Sequence, residues 1–331
     1  MQKQLKQCFS LFKVGAFFAV FNSFFASATT QFVMLIFPFL CVLIAVAFYT
    51  LLERKVLGYI MNRKGPNKVA FMGMVQPFSD AAKLFNKESI TPGFSNNFVF
   101  VLCPSLILFN SLALWVLYPF NYSEMMFICG LIQFLVVSSM SAYGVMLAGW
   151  SSNSKYALLG SVRAVAQSVS YEVPLTLVMI SVCCSLGSMW CQEVKEIQDG
   201  LFSLGFLLDM EGMIWLICML AESNRAPFDF VEGESELVSG FNVEYSSGGF
   251  AMVFMAEYAS MLFNSLFFCV LFIGGSGAML MLATTLVALG YVWVRGSFPR
   301  MRYDKMMNLC WRYLTGLTLC LSVFCMCSLY W

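Results

Sequence analysis

The sequence predicts an all-α polytopic membrane protein with eight transmembrane helices, an amphipathic helix on the inner side and an extra N-terminal helix. Three observations carry this. The 331 residues are 60% hydrophobic and 11% charged, with mean hydropathy +0.78, whereas a soluble domain carries roughly 25% charged residues. Eight apolar segments recur along the chain, most of them near the roughly 20 residues that cross a bilayer as a helix. The basic residues crowd onto alternate connections. Those after segments one, three, five and seven hold 13 of the 19, from Arg54 to Lys305, while the opposite side holds only Lys195 and the N-terminal Lys3, Lys6 and Lys13. That bias marks the inner face of a membrane protein.

Residues 1–30 carry three lysines, a Phe-rich run and ASATT. The pattern is shared by a signal peptide and an interfacial helix, and we expect the helix, as an extension ahead of a single membrane domain over 31–331. The spans follow at about 31–51, 98–118, 125–149, 158–187, 205–221, 250–273, 277–294 and 308–329. The fourth is long enough to tilt. The fifth is the shortest, with Asp209 and Glu211 near its start. The turn at 274–277 joins the sixth and seventh as a tight pair. In the first inner connection, Gly65-Pro66-Asn67 reads as a turn. Residues 78–87 then place Phe78, Ala81, Ala82 and Phe85 on one face, with Lys83 and Lys87 away from it.

Several chemistries are excluded. There is no histidine, so no histidine-ligated haem and no Ser-His-Asp triad. No G-x-G-x-x-G or G-x-x-x-x-G-K-[ST] occurs, which leaves no nucleotide signature. A net charge of +1 gives no nucleic-acid signal. The 13 cysteines show no C-x-x-C spacing and read as small apolar residues.

Charge inside apolar sequence is the functional signal. Arg163 and Glu172 lie within the fourth segment, nine residues and roughly 13 Å of rise apart. Pro174 is expected to break or kink that helix. The stretch 221–245, AESNRAPFDFVEGESELVSGFNVEY, holds Glu222, Asp229, Glu232, Glu234, Glu236 and Glu244 with Arg225 the only base, and Glu257 follows in the next span. Crowded, partly buried carboxylates share protons. Phe228, Phe230, Leu237, Val238, Phe241 and Val243 are interleaved with them, so the loop is expected to fold back onto the membrane domain. Against this stand blander readings: a solvated acidic loop, a structural ion pair, and basic loops that grip anionic lipid heads. Glu53, Arg54 and Lys55, where the first span meets water, are placed to line a polar mouth.

Four blocks carry a family resemblance. They are ERKVLGYIMNRKGPN with QPFSDAAKLFNKE, GWSSNSKYALLGSVRAVAQSVSYEV, AESNRAPFDFVEGESELVSGFNVEY with AEY, and FPRMRYD. Together they resemble the quinone-channel membrane subunits of respiratory complex I, from residue 53 to 304. The resemblance implies a chain in the mitochondrial inner membrane that shapes the ubiquinone entry channel, with ubiquinone as substrate and no NAD, flavin or iron–sulfur cluster of its own. It implies channel residues at Arg54, Arg63, Arg225, Phe228, Asp229 and Arg300. It implies a proton relay at Arg163, Glu172, Glu222, Glu232, Glu234, Glu236, Glu244 and Glu257. The implied partners are the peripheral-arm iron–sulfur and quinone-site subunits on the matrix side, the neighbouring proton-pumping membrane subunits, and lipid. The N-terminal extension and the short turn at 274–277 depart from the family pattern. A hydrogenase-type anchor shares this fold and these acids. A proton-coupled transporter should instead show two similar halves with broken helices, and no such repeat is present. A purely structural anchor is the third alternative.

Overall fold

A computed structural model describes residues 37–118, 129–200, 209–230, 240–275 and 277–329. The described residues are helical and contain no strand. The predicted N-terminal helix, the start of the first span, and Glu232, Glu234 and Glu236 lie outside them. Among the described residues, six helices are long and apolar enough to cross a membrane.

Helix α1 covers 37–60, so it runs on past its predicted end at 51. The stripe Val42, Val46, Tyr49 and Glu53 is buried, spaced as one face of a helix. Phe37, Leu40, Ile44 and Phe48 point outward. The ERK sequence therefore continues the helix instead of opening a loop, since Glu, Arg and Lys are good helix formers. Helix α2, Gln76–Phe85, is the predicted amphipathic helix. Its Phe78 meets Phe48 edge-on at 6.1 Å, while Phe85 is exposed.

Helices α3 (Asn97–Val116), α4 (Gly130–Ser151) and α5 (Lys155–Leu186) follow and pack in sequence order. Helix α5 passes through Pro174 without interruption, which corrects the expected break. Membrane helices tolerate proline because neighbouring groups re-satisfy the freed backbone. Helix α6, Cys191–Gly200, lies in the outer connection and was not foreseen. It packs on the π-turn Cys269–Ile273, where Gln198 Nε2 donates to Leu271 O at 2.7 Å. Helix α7, Asp209–Glu222, has 14 residues and leads into the acidic loop.

Helix α8, Ser247–Phe268, runs on through that π-turn and forms the centre of the bundle. In its most apolar stretch 72% of the residues are buried, against 22–44% for the other five described spans. It packs against α2, α3, α7 and α9, with α9 at Ala278–Ser297. Stacked rings of Phe134, Phe263 and Phe267 with Trp215 fill the centre. The last helix, α10, comprises Tyr303–Asn308, a π-turn at Leu309–Leu314 and Thr315–Leu329. Around this core the outer surface is apolar: Phe98, Phe109, Met279, Leu286, Trp293 and Phe324 all face out, as lipid contact requires.

Candidate functional site: a charge chain at the inner end

The inner ends of α1, α7, α8 and α9 meet at a run of alternating charges. Glu53 is 7% exposed. One of its oxygens accepts a hydrogen bond from the Tyr258 hydroxyl at 2.6 Å, and the other is ion-paired with Arg295. The Tyr258 ring carries the Arg225 guanidinium 4.8 Å from its centroid, with the Phe254 ring at 5.6 Å. Arg225 Nη2 in turn pairs with Glu257 Oε2 at 3.1 Å. The order is thus Arg295, Glu53, Tyr258, Arg225, Glu257. Each charge has an opposite or aromatic neighbour, which is what allows ionised groups to remain buried. Tyr49 steadies the cluster: its hydroxyl donates to Ala288 O at 3.0 Å and its ring lies edge-on to Tyr258.

Beside this run lies a cavity of about 10 Å³, lined by Glu53, Ser223, Arg225, Tyr291 and Arg295 among others, the size of a single water. The Tyr291 hydroxyl is buried there without a hydrogen-bond partner among the described residues. A larger crevice of about 410 Å³ lies between α4, α5 and α10. Its lining includes Val162, Val169 and Trp311 and no charged side chain, so the chemistry belongs to the smaller cavity.

The acidic loop is held from two sides. Gln167, fully buried on α5, donates its amide to Ala221 O at 2.7 Å and Phe228 O at 3.1 Å. Gly160 permits the other close approach. A Cβ there would meet Gly240 Cα at 3.0 Å. Met301 N donates to Pro227 O at 3.0 Å, and Arg300 pairs with Asp229 at 3.3 Å. The two inner connections are therefore tied together. Phe228, Phe230 and Phe241 are buried, as a folded-back loop requires, but Val243 stands 37% exposed. Leu237 and Val238 lie outside the described residues.

The predicted residues thus divide. Arg225 and Glu257 sit in the charge chain, and Asp229 and Arg300 form a neighbouring pair. Phe228 is buried beneath them. Glu222, at the end of α7, accepts from Asn264 Nδ2 at 3.0 Å and lies within electrostatic reach of Glu172. Arg163 and Glu172 are half-buried along α5. Arg54 instead reaches Asp80 of α2 at 2.5 Å, and Gln76 also binds that carboxylate. Arg63 is exposed and Glu244 half-buried. Arg295, Tyr258, Asn264 and Gln167 were not foreseen as site residues, and Glu53 only as one of three groups at a polar mouth. Among the described residues no three His, Cys, Asp or Glu side chains gather as a metal site.

Comparison with known proteins adds the family. Residues 32–326 match a family model described as NADH dehydrogenase. The chain is 53% identical to NADH-ubiquinone oxidoreductase chain 1 of Mytilus edulis over 288 residues, 87% of this chain and 94% of that protein. It is 50% identical to the Aedes aegypti protein of that name, covering 85% and 90%. For the Heterololigo bleekeri protein the identity is 48%, covering 88% and 94%.

Proposed function

The chain belongs to the NADH dehydrogenase family, and from that premise we propose that it is a core membrane subunit of a proton-translocating NADH–ubiquinone oxidoreductase. It sits in the mitochondrial inner membrane with eight spans. It shapes the channel by which ubiquinone enters from the bilayer, and its buried charges link quinone reduction to proton movement. The peripheral iron–sulfur and quinone-site subunits dock on the basic inner connections, and proton-pumping membrane subunits pack on the apolar flank.

One observation carries this reading: the chain from Arg295 through Glu53, Tyr258 and Arg225 to Glu257. Quinone reduction takes up electrons and protons. A negative charge that arrives beside such a run attracts its cations and repels its anions, and the low dielectric makes each step strong. The two pairs then have two arrangements, closed on themselves or opened toward the quinone. Glu222, Glu172 and the remaining loop acids receive the change as protons. Arg54, Arg63 and Arg300 stand at the surface end, where the channel meets the docked subunits. Exposed Phe71, Phe78 and Phe85 around α2 give a quinone an apolar approach.

The test is a photoreactive ubiquinone analogue, irradiated in the intact enzyme and mapped by peptide mass spectrometry. The expected adducts fall on the 53–63 segment and on 225–230, and excess ubiquinone removes them. Labelling confined to other subunits, or to the α4–α5–α10 crevice, would overturn the channel assignment.

A further inference from the structure

We propose that Glu211 and Ser181 form a second proton-binding site, near the outer end of the helix pair α5–α7. It rests on the reading above that this subunit carries protons, and it adds a place for one far from the inner cluster. Glu211 is 2% exposed and Ser181 1%. The Ser181 Oγ lies 2.6 Å from Glu211 Oε2 and 2.7 Å from the Val178 carbonyl. A hydroxyl has one hydrogen to give, so it cannot donate to both. Two settings satisfy the geometry. In one, the hydroxyl donates to a Glu211 carboxylate. In the other it donates to Val178 O, and a protonated Glu211 donates to Ser181 Oγ. The arrival of a proton on Glu211 thus needs only a rotation of one hydroxyl. Among the described residues no Lys or Arg lies within ion-pair distance of Glu211, so no fixed cation locks either setting.

The position matches a path through the membrane. Glu211 lies eleven residues outward from Glu222 on α7, and Ser181 nine residues outward from Glu172 on α5, roughly 16 and 13 Å of helical rise. Glu211, Trp215, Cys218 and Glu222 follow at intervals of four, three and four, which is one helix face. Trp215 is fully buried, and its indole N–H meets no acceptor among the described residues. A buried donor of this kind is an exception that calls for a partner, such as water. It stands on the face that joins the two acids. On the third side Cys325 of α10 donates to Ser181 O at 3.4 Å and closes the site from lipid.

The test compares Glu211→Gln with Glu222→Gln in the assembled enzyme in sealed membranes. Gln keeps the volume and the acceptor for Ser181 but takes no proton. The expected result is normal complex content with proton translocation reduced about 10-fold or more, and Glu211→Asp retaining more of it than Glu211→Gln. If Glu211→Gln pumps normally while Glu222→Gln does not, the outer site is wrong and the inner reading stands. If neither variant changes pumping, both fail. Should Glu211→Gln not assemble, the wild-type enzyme decides. Dicyclohexylcarbodiimide, an apolar reagent for protonated carboxyls, is expected to modify Glu211, more slowly as pH rises. No adduct on the Glu211 peptide would overturn the proposal.

Discussion

Glu53 divides its two oxygens between a phenol and a guanidinium, and Arg225 divides its charge between a carboxylate and two rings. Removal of one member of such a buried pair leaves the other unpaired. Arg225→Met is therefore expected to destabilise the subunit by about 3–5 kcal/mol. The double variant Arg225→Met with Glu257→Met should recover much of that loss. Thermal or denaturant unfolding of the detergent-solubilised complex checks both, and a double variant no better than the single would contradict the pairing. Tyr258→Phe removes only the hydroxyl donated to the Glu53 carboxylate and is expected to cost about 1.5–3 kcal/mol. The acids and Arg225 were legible in the sequence because they interrupt apolar runs or crowd one loop. Arg295 was not, because a basic residue at the end of a span reads as topology, and its partner Glu53 lies 242 positions away. No local pattern reports a contact of that separation.

The acidic loop is placed by α5 more than by its own sequence. Gln167→Leu removes the side-chain amide that donates to Ala221 O and Phe228 O. Each carbonyl keeps a backbone donor, Asn224 N at 3.4 Å and Phe230 N at 3.0 Å, so the expected cost is about 0.5–1.5 kcal/mol for each hydrogen bond lost. Gly160→Val adds bulk where even a Cβ would meet Gly240 and is expected to lift the 240–242 turn from α5. Hydrogen exchange in residues 221–245 reads both changes, and unchanged protection would contradict this account of the loop. The long spans announced themselves by length and hydropathy. Helix α6 did not, being ten residues with a polar balance that hides its buried Cys191, Val194 and Gln198. The uninterrupted course of α5 through Pro174 fits the general tolerance of membrane helices for proline, which a local reading of the sequence does not include.

In the whole molecule, the apolar exterior, the central α8 and the one-sided distribution of bases describe one orientation in a bilayer. That orientation has a simple check. A membrane-impermeant maleimide applied from the outer side should modify Cys129, which is exposed at the start of α4. Cys191 should stay unmodified at neutral pH. Its thiol is buried, and burial pushes its pKa up to about 12, so the reactive thiolate is scarce. Modification of Cys129 only from the inner side would invert the topology. The sequence carried this architecture well, because hydropathy and charge bias act along the whole chain. It carried the site less well, because the site is made where the ends of four helices converge.

In the proposed function, the charge chain centred on Glu53 links quinone reduction to proton movement. The direct test is the number of protons translocated per NADH oxidised, measured in sealed membranes with fully assembled Glu53→Gln enzyme. Gln keeps an acceptor for Tyr258 but loses the charge that holds Arg295. The ratio, or the coupled rate as a whole, is expected to fall severalfold while complex content stays constant. A wild-type ratio at a wild-type rate would contradict the account.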